Sequence, residues 1–261
     1  MASTVVAPPA ARGHSALTQL TITELRLLCR GRNRVGFVAS AGIPLLLLII
    51  FGAIHSFNKP VKAYGGLTTF DMYVPILLAF SLTMLSVLTM PTVLASYREL
   101  GVLRRLKTTP AGPVRVLAAQ LAVKLAVAAV TVIAILAVAR IGYGIATPRQ
   151  LGGFVVAGLL TAAALMAIGL CIAAVAPTGN VARGIGAILF YLMMFFAGLW
   201  LPIPNMPPVL QHISHATPLG AAVPALGNAM MGQWPTGLQL LTLAAYAAAF
   251  GLAAAKRFRW E

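Results

Sequence analysis

Residues 96–110 read SYRELGVLRRLKTTP, and they set Arg98, Glu99, Arg104, Arg105 and Lys107 between two long apolar runs. That contrast decides the fold class. Of 261 residues, 60% are hydrophobic and only 9% are charged, and the mean hydropathy is +0.92. A water-soluble domain with so much apolar surface would aggregate, whereas hydrocarbon accepts it. The runs on either side extend about 20 residues with almost no charge, the length that crosses roughly 30 Å of bilayer core. They are continuous rather than alternating in steps of two, which is not the pattern of a membrane β-barrel. The expectation is an all-α integral membrane protein whose residues 96–110 form a short charged helix on one membrane face.

Working outward from that helix, hydropathy predicts six spans, at roughly 35–55, 70–95, 115–139, 151–175, 184–201 and 238–255. Six spans put both termini on one side. One side then receives Arg98, Arg104, Arg105, Lys107, Arg183, Lys256, Arg257 and the arginines before the first span; the other receives only Lys59, Lys62, Arg140 and Arg149. Excess Lys and Arg mark the cytoplasmic side. The net charge of +15 therefore reads as an orientation signal at span ends, not as a nucleic-acid surface.

The opening MASTVVAPPAARGHSALTQ has no apolar h-region, so no cleaved signal peptide is expected, and residues 1–16 read as a disordered tail. Residues 17–34 read as an amphipathic helix. Leu17, Leu20, Leu27 and Leu28 share one face, and Arg26 and Arg30 share the other. Such a helix suits the inner membrane surface, with its arginines among anionic headgroups. Glu24 has two open readings: a capping-box partner of Thr21, or a bond to another cytoplasmic element.

The chain has four carboxylates, Glu24, Asp71, Glu99 and Glu261. Asp71, at the outer end of the second span, reads as a cap or an interfacial residue, and Lys124, two turns into the third, is expected to snorkel to the surface. There is no GxxxxGK[ST] phosphate loop, no Ser-His-Asp set and no paired-carboxylate arrangement. No enzyme active site is expected, and any nucleotide must be bound by another chain. His212 and His215 are spaced to share a helical face but have no third ligand nearby, so no metal site is predicted. Cys29 and Cys171 suggest no disulfide.

Two regions ask for more than a solvated loop. Glu99 meets Val102 and Leu103 ahead and Ala95 and Ser96 behind, so no local ion pair answers it. Leu103 and Leu106 lie on its side, Arg98 and Arg105 on another, and Thr108 to Pro110 stop the helix. This is a surface built to dock on a soluble partner. Residues 201–237 are apolar and rich in proline, which reads as re-entrant helices packed against protein. Phe195, Phe196 and Trp200 read as interface anchors or as the closure of a substrate path.

Together these regions resemble the membrane subunits of the ABC-2 class of ABC exporters. SYRELGVLRRLKTTP is similar to the family's coupling helix: an Arg–Glu pair, a glycine, two basic residues and a Thr-Pro. FFAGLWLPIPNMPPVLQHISHATPLG is similar to its segment after the fifth span. The flavour is that of actinobacterial drug and antibiotic exporters of the daunorubicin-exporter type. The resemblance implies a type V exporter fold for residues 35–261, in a bacterial cytoplasmic membrane with both termini inside. It implies two ATP-binding subunits, which carry ATP and Mg, and a second membrane subunit, identical or homologous. Partners are then these chains and the lipid bilayer, with no nucleic acid, and this chain holds no cofactor. Arg98, Glu99, Gly101, Arg104 and Arg105 inherit the coupling role, and Glu24 a place in the connecting helix. An amphipathic small molecule, drug or lipid is the expected substrate. The alternatives are a polysaccharide or glycolipid exporter, and an ion-coupled carrier working through Asp71.

Overall fold

The computed structural model describes residues 34–59, 68–101, 112–145 and 147–257. Among them the extended structure is helical throughout. In chain order the helices are α1 (Arg34–Ala53), α2 (Thr69–Glu99), α3 (Gly112–Tyr143), α4 (Leu151–Val175), α5 (Gly179–Phe196), α6 (Pro208–Ala216), α7 (Pro218–Met230) and α8 (Gly237–Arg257). Among the described residues, α2, α4, α5, α8 and α3 from Leu117 onward are long and apolar enough to cross a bilayer; α1 adds a shorter apolar helix, Val38–Ala53. The expected tail and connecting helix lie outside the described residues.

The bundle is organised around α2. Val74, Leu77, Ala79, Leu85, Met90 and Ala95 are fully buried along its whole length. The second half of α2 packs on α4 and α5, its first half on α1, α3 and α7. Helix α8 lies along α4 in the most extensive helix pairing among the described residues, yet only Leu243 and Ala254 of α8 are buried. Leu238, Leu241 and Leu252 face outward. Leucines in that number on an outer face suit lipid and would be unfavourable in water.

Midway, α2 departs from α geometry. Met84–Thr89 form a π-helical turn, and the Met90 N–H reaches back to the Leu85 carbonyl. The sequence supplies the cause two residues on. Pro91 lacks an N–H and its ring clashes with the carbonyl four residues earlier, so one extra residue is accommodated in the turn before it. Threonines along the same stretch satisfy their hydroxyls within the helix: Thr83 Oγ1 donates to Ala79 O at 2.7 Å, Thr89 Oγ1 to Leu85 O at 2.7 Å and Thr92 Oγ1 to Leu88 O at 2.8 Å. In hydrocarbon such local partners replace absent water. Neighbouring helices come close to this turn at two glycines. A Cβ on Gly169 of α4 would fall on the Ser86 carbonyl oxygen, and one on Gly186 of α5 would lie 2.5 Å from that of Val87.

Residues 201–237 fold as two short helices, not as a polar loop. At 13 residues α7 is about 20 Å long, too short to cross, but Leu219, Ala222, Ala225 and Ala229 are fully buried. The α6–α7 corner is tight. Thr217 Oγ1 caps α7 by accepting from the Gly220 N–H at 3.0 Å, and Gly220 sits against the Ser214 carbonyl where no side chain fits.

Candidate functional site

The described part of the charged stretch continues α2. Ser96 to Glu99 are its last turn, not the first turn of a separate helix as the spacing predicts. The Leu100 N–H donates to Ser96 O and the Gly101 N–H to Arg98 O, both at 3.0 Å. Gly101, at φ +67°, then turns the chain out of the helix, a left-handed conformation that glycine adopts without a Cβ penalty. Arg104, Arg105 and Glu24 lie outside the described residues.

Arg98 and Glu99 together grip the junction between α4 and α5. Arg98 donates from Nη1 to Ala174 O at 3.2 Å and from Nη2 to Ala176 O. Glu99 Oε2 accepts from the Gly179 N–H at 3.0 Å. A helix ends in unsatisfied carbonyls and begins with unsatisfied N–H groups, carrying partial negative and positive charge respectively. The cation is therefore on the C-terminus of α4 and the anion on the N-terminus of α5. Thr178 adds the ordinary cap, its Oγ1 accepting from the Val181 N–H at 3.3 Å. Gly179 packs so closely on Ser96 Oγ that no Cβ fits, and the Thr92 carbonyl would lie 3.3 Å away. The acid that lacks a local mate in sequence thus finds one eighty residues on.

Lys124 does not snorkel. It is only 1% exposed, and its Nζ donates to Thr89 Oγ1 at 3.2 Å, at the end of the π turn. Gln120 and Thr131 are buried on the same helix, and the three polar residues mark the face of α3 turned toward the bundle. Sequence reasoning treated Lys124 singly and missed that stripe.

Asp71 forms a full capping box. Its Oδ2 accepts from the Thr68 N–H at 2.9 Å and the Thr68 hydroxyl at 2.7 Å, and its own N–H donates to Thr68 Oγ1 at 3.0 Å. Phe195 and Phe196, at the end of α5, have ring centroids 5.4 Å apart. Trp200 is 55% exposed and 6.4 Å from the Tyr191 ring. His212 Nδ1 lies 2.7 Å from Pro208 O, and no group of three metal-ligating side chains occurs among the described residues.

No curated protein matches the chain. A model of the ABC-2 type transporter family matches residues 19–231, from the predicted amphipathic helix through the charged stretch to the end of α7. The chain belongs to the ABC-2 type transporter family, as its membrane component, the permease subunit that works with an ATP-binding subunit.

Proposed function

We propose that the chain is the permease of an exporter that moves an amphipathic small molecule, drug, antibiotic or lipid out across the bacterial cytoplasmic membrane. In this reading it spans six times with α1 as the first crossing, and α6 and α7 are re-entrant from outside. It pairs with a second membrane subunit, identical or homologous, and two ATP-binding subunits. Arg104, Arg105 and Glu24 face the ATP-binding partner, and Phe195, Phe196 and Trp200 close the outer end of the path.

The observation that carries this reading is the grip of Arg98 and Glu99 on the α4–α5 junction. A push delivered to the stretch after Gly101 reaches α2 through its last turn. Arg98 and Glu99 pass it at once to the end of α4 and the start of α5, so three spans move together. The capping box around Asp71 supports the same reading over an ion-coupled carrier, because a helix cap accounts for that carboxylate.

The test is the reconstituted complex, with ATP hydrolysis and substrate flux measured on the same vesicles. Glu99→Ala is expected to leave assembly and hydrolysis intact while lowering flux about tenfold. Arg105→Glu is expected to weaken assembly itself. A Glu99→Ala complex that transports normally would overturn the transmission route.

A further inference from the structure

At the end of the bundle opposite Arg98 and Glu99, about 46 Å along α2 by helical rise, lies a cavity of about 640 Å³. Its wall comes from the first turns of α2, the segment after α5, α6, the end of α7, and residues 145 and 149 between α3 and α4. Pro75, Pro202, Pro204 and Pro224 all stand in that wall. Their fixed φ angles stiffen it.

Hydrogen bonds brace the wall. Gln211 Nε2 donates to Pro204 O at 3.3 Å and to Met206 O at 2.8 Å, and the Tyr73 hydroxyl donates to Leu199 O at 3.3 Å. A braced space of this size, lined mainly by apolar groups, has the dimensions of a site for a small organic ligand. Phe195, Phe196 and Trp200 are not in its wall.

The polar groups of the wall are few, and they differ in how far they are committed. Asp71 already uses Oδ2 for both Thr68 donors. Gln211 uses its amide N–H groups on the loop, and Asn228 Nδ2 lies 3.5 Å from Gln239 Oε1. Arg149 is different, as is His215, whose ring stands in the same wall with no hydrogen-bond or ion-pair partner among the described residues. The stem of Arg149 lies against Gly232, where an added Cβ would be 3.3 Å from Arg149 Cβ, and its guanidinium has no hydrogen-bond or ion-pair partner among the described residues. A planar cation at the edge of an apolar cavity is matched by a carboxylate, sulfonate or phosphate.

We propose that this cavity binds an amphipathic organic anion, its apolar body among Ile76, Val223 and the prolines and its head on Arg149. Asp71 in the same wall opposes a second negative group, so a monoanion suits the site better than a dianion. The site rests on the exporter reading for its use, as the place where an exported amphiphile is held before release.

The test uses the purified full chain in nanodiscs of zwitterionic lipid, with dansyl-undecanoate as the fluorescent probe. Dodecanoate, its methyl ester and dodecylamine compete as three heads on one apolar body. Dodecanoate is expected to displace the probe about tenfold more tightly than the ester, as for a hydrogen bond to a charged group, with the amine weakest. Arg149→Gln should bring the acid down to the level of the ester and leave the ester unchanged. Gly227→Leu should weaken both, because it fills the cavity from α7, where a Cβ would lie 3.7 Å from Pro75 Cγ.

Equal displacement by the three heads, or an acid preference that survives Arg149→Gln, would overturn the proposal. So would displacement by phosphatidylglycerol vesicles but not by dodecanoate, which would give the cavity to lipid. Binding in this assay needs no ATP-binding subunit. A chain that binds but never transports therefore removes the exporter reading alone, and one that transports without binding removes the site alone.

Discussion

Arg98 and Glu99 are sequence neighbours that serve opposite ends of two different helices. Glu99→Ala removes an acceptor from the start of α5 but leaves Thr178 in place. The expected cost is about 1 kcal/mol, that of losing one cap. Glu99→Gln keeps an oxygen for the Gly179 N–H and should recover part of it; thermal unfolding of the purified chain in detergent measures both. The sequence makes Glu99 conspicuous by denying it a local mate, but its partner is a peptide N–H, which no pattern of side chains announces. Lys124 shows the opposite failure. Its depth in α3 can be counted from the residue alone, but its direction cannot, because a helix in hydrocarbon is apolar toward lipid and toward protein alike. Only the buried polar stripe with Gln120 and Thr131 reveals the inward face.

At the scale of the element, the π turn of α2 and the two glycines that meet it form one unit. Gly169→Ala and Gly186→Ala should each destabilise by about 1–3 kcal/mol, since a methyl group must push carbonyls aside in a packed interior. Gly184, two residues from Gly186 on α5, has nothing within 4 Å of its Cβ position. Gly184→Ala should be neutral or stabilising by up to about 1 kcal/mol. Melting temperatures of the three variants check the contrast, and a Gly186→Ala no worse than Gly184→Ala would refute it. Pro91 is visible in the sequence as a source of a bend. That the bend takes the form of a wide turn seated on two glycines depends on how α4 and α5 lie against α2, and glycine is too frequent in this chain for sequence to single out those two.

For the whole molecule, composition and hydropathy made the helical membrane class legible, and two motif regions made the family legible. Which helices touch was not, because small and apolar residues are spread over every span. The orientation rests on counting Lys and Arg, and it yields a direct expectation. In a background with Cys29 and Cys171 replaced by Ser, Gln233→Cys, exposed beyond α7, should react with a membrane-impermeant maleimide on intact cells. Arg257→Cys, at the end of α8, should react only after lysis. The reverse result would invert the molecule. The grip on the α4–α5 junction adds a final consequence. Its acceptors and donor are the peptide groups of Ala174, Ala176 and Gly179, and the polarity of a helix end is fixed by chain direction. A salt bridge between two side chains can be rebuilt by exchanging its charges; this contact cannot, so the swap of Arg98→Glu with Glu99→Arg should be worse than either single change, and no compensating substitution in the junction should rescue it.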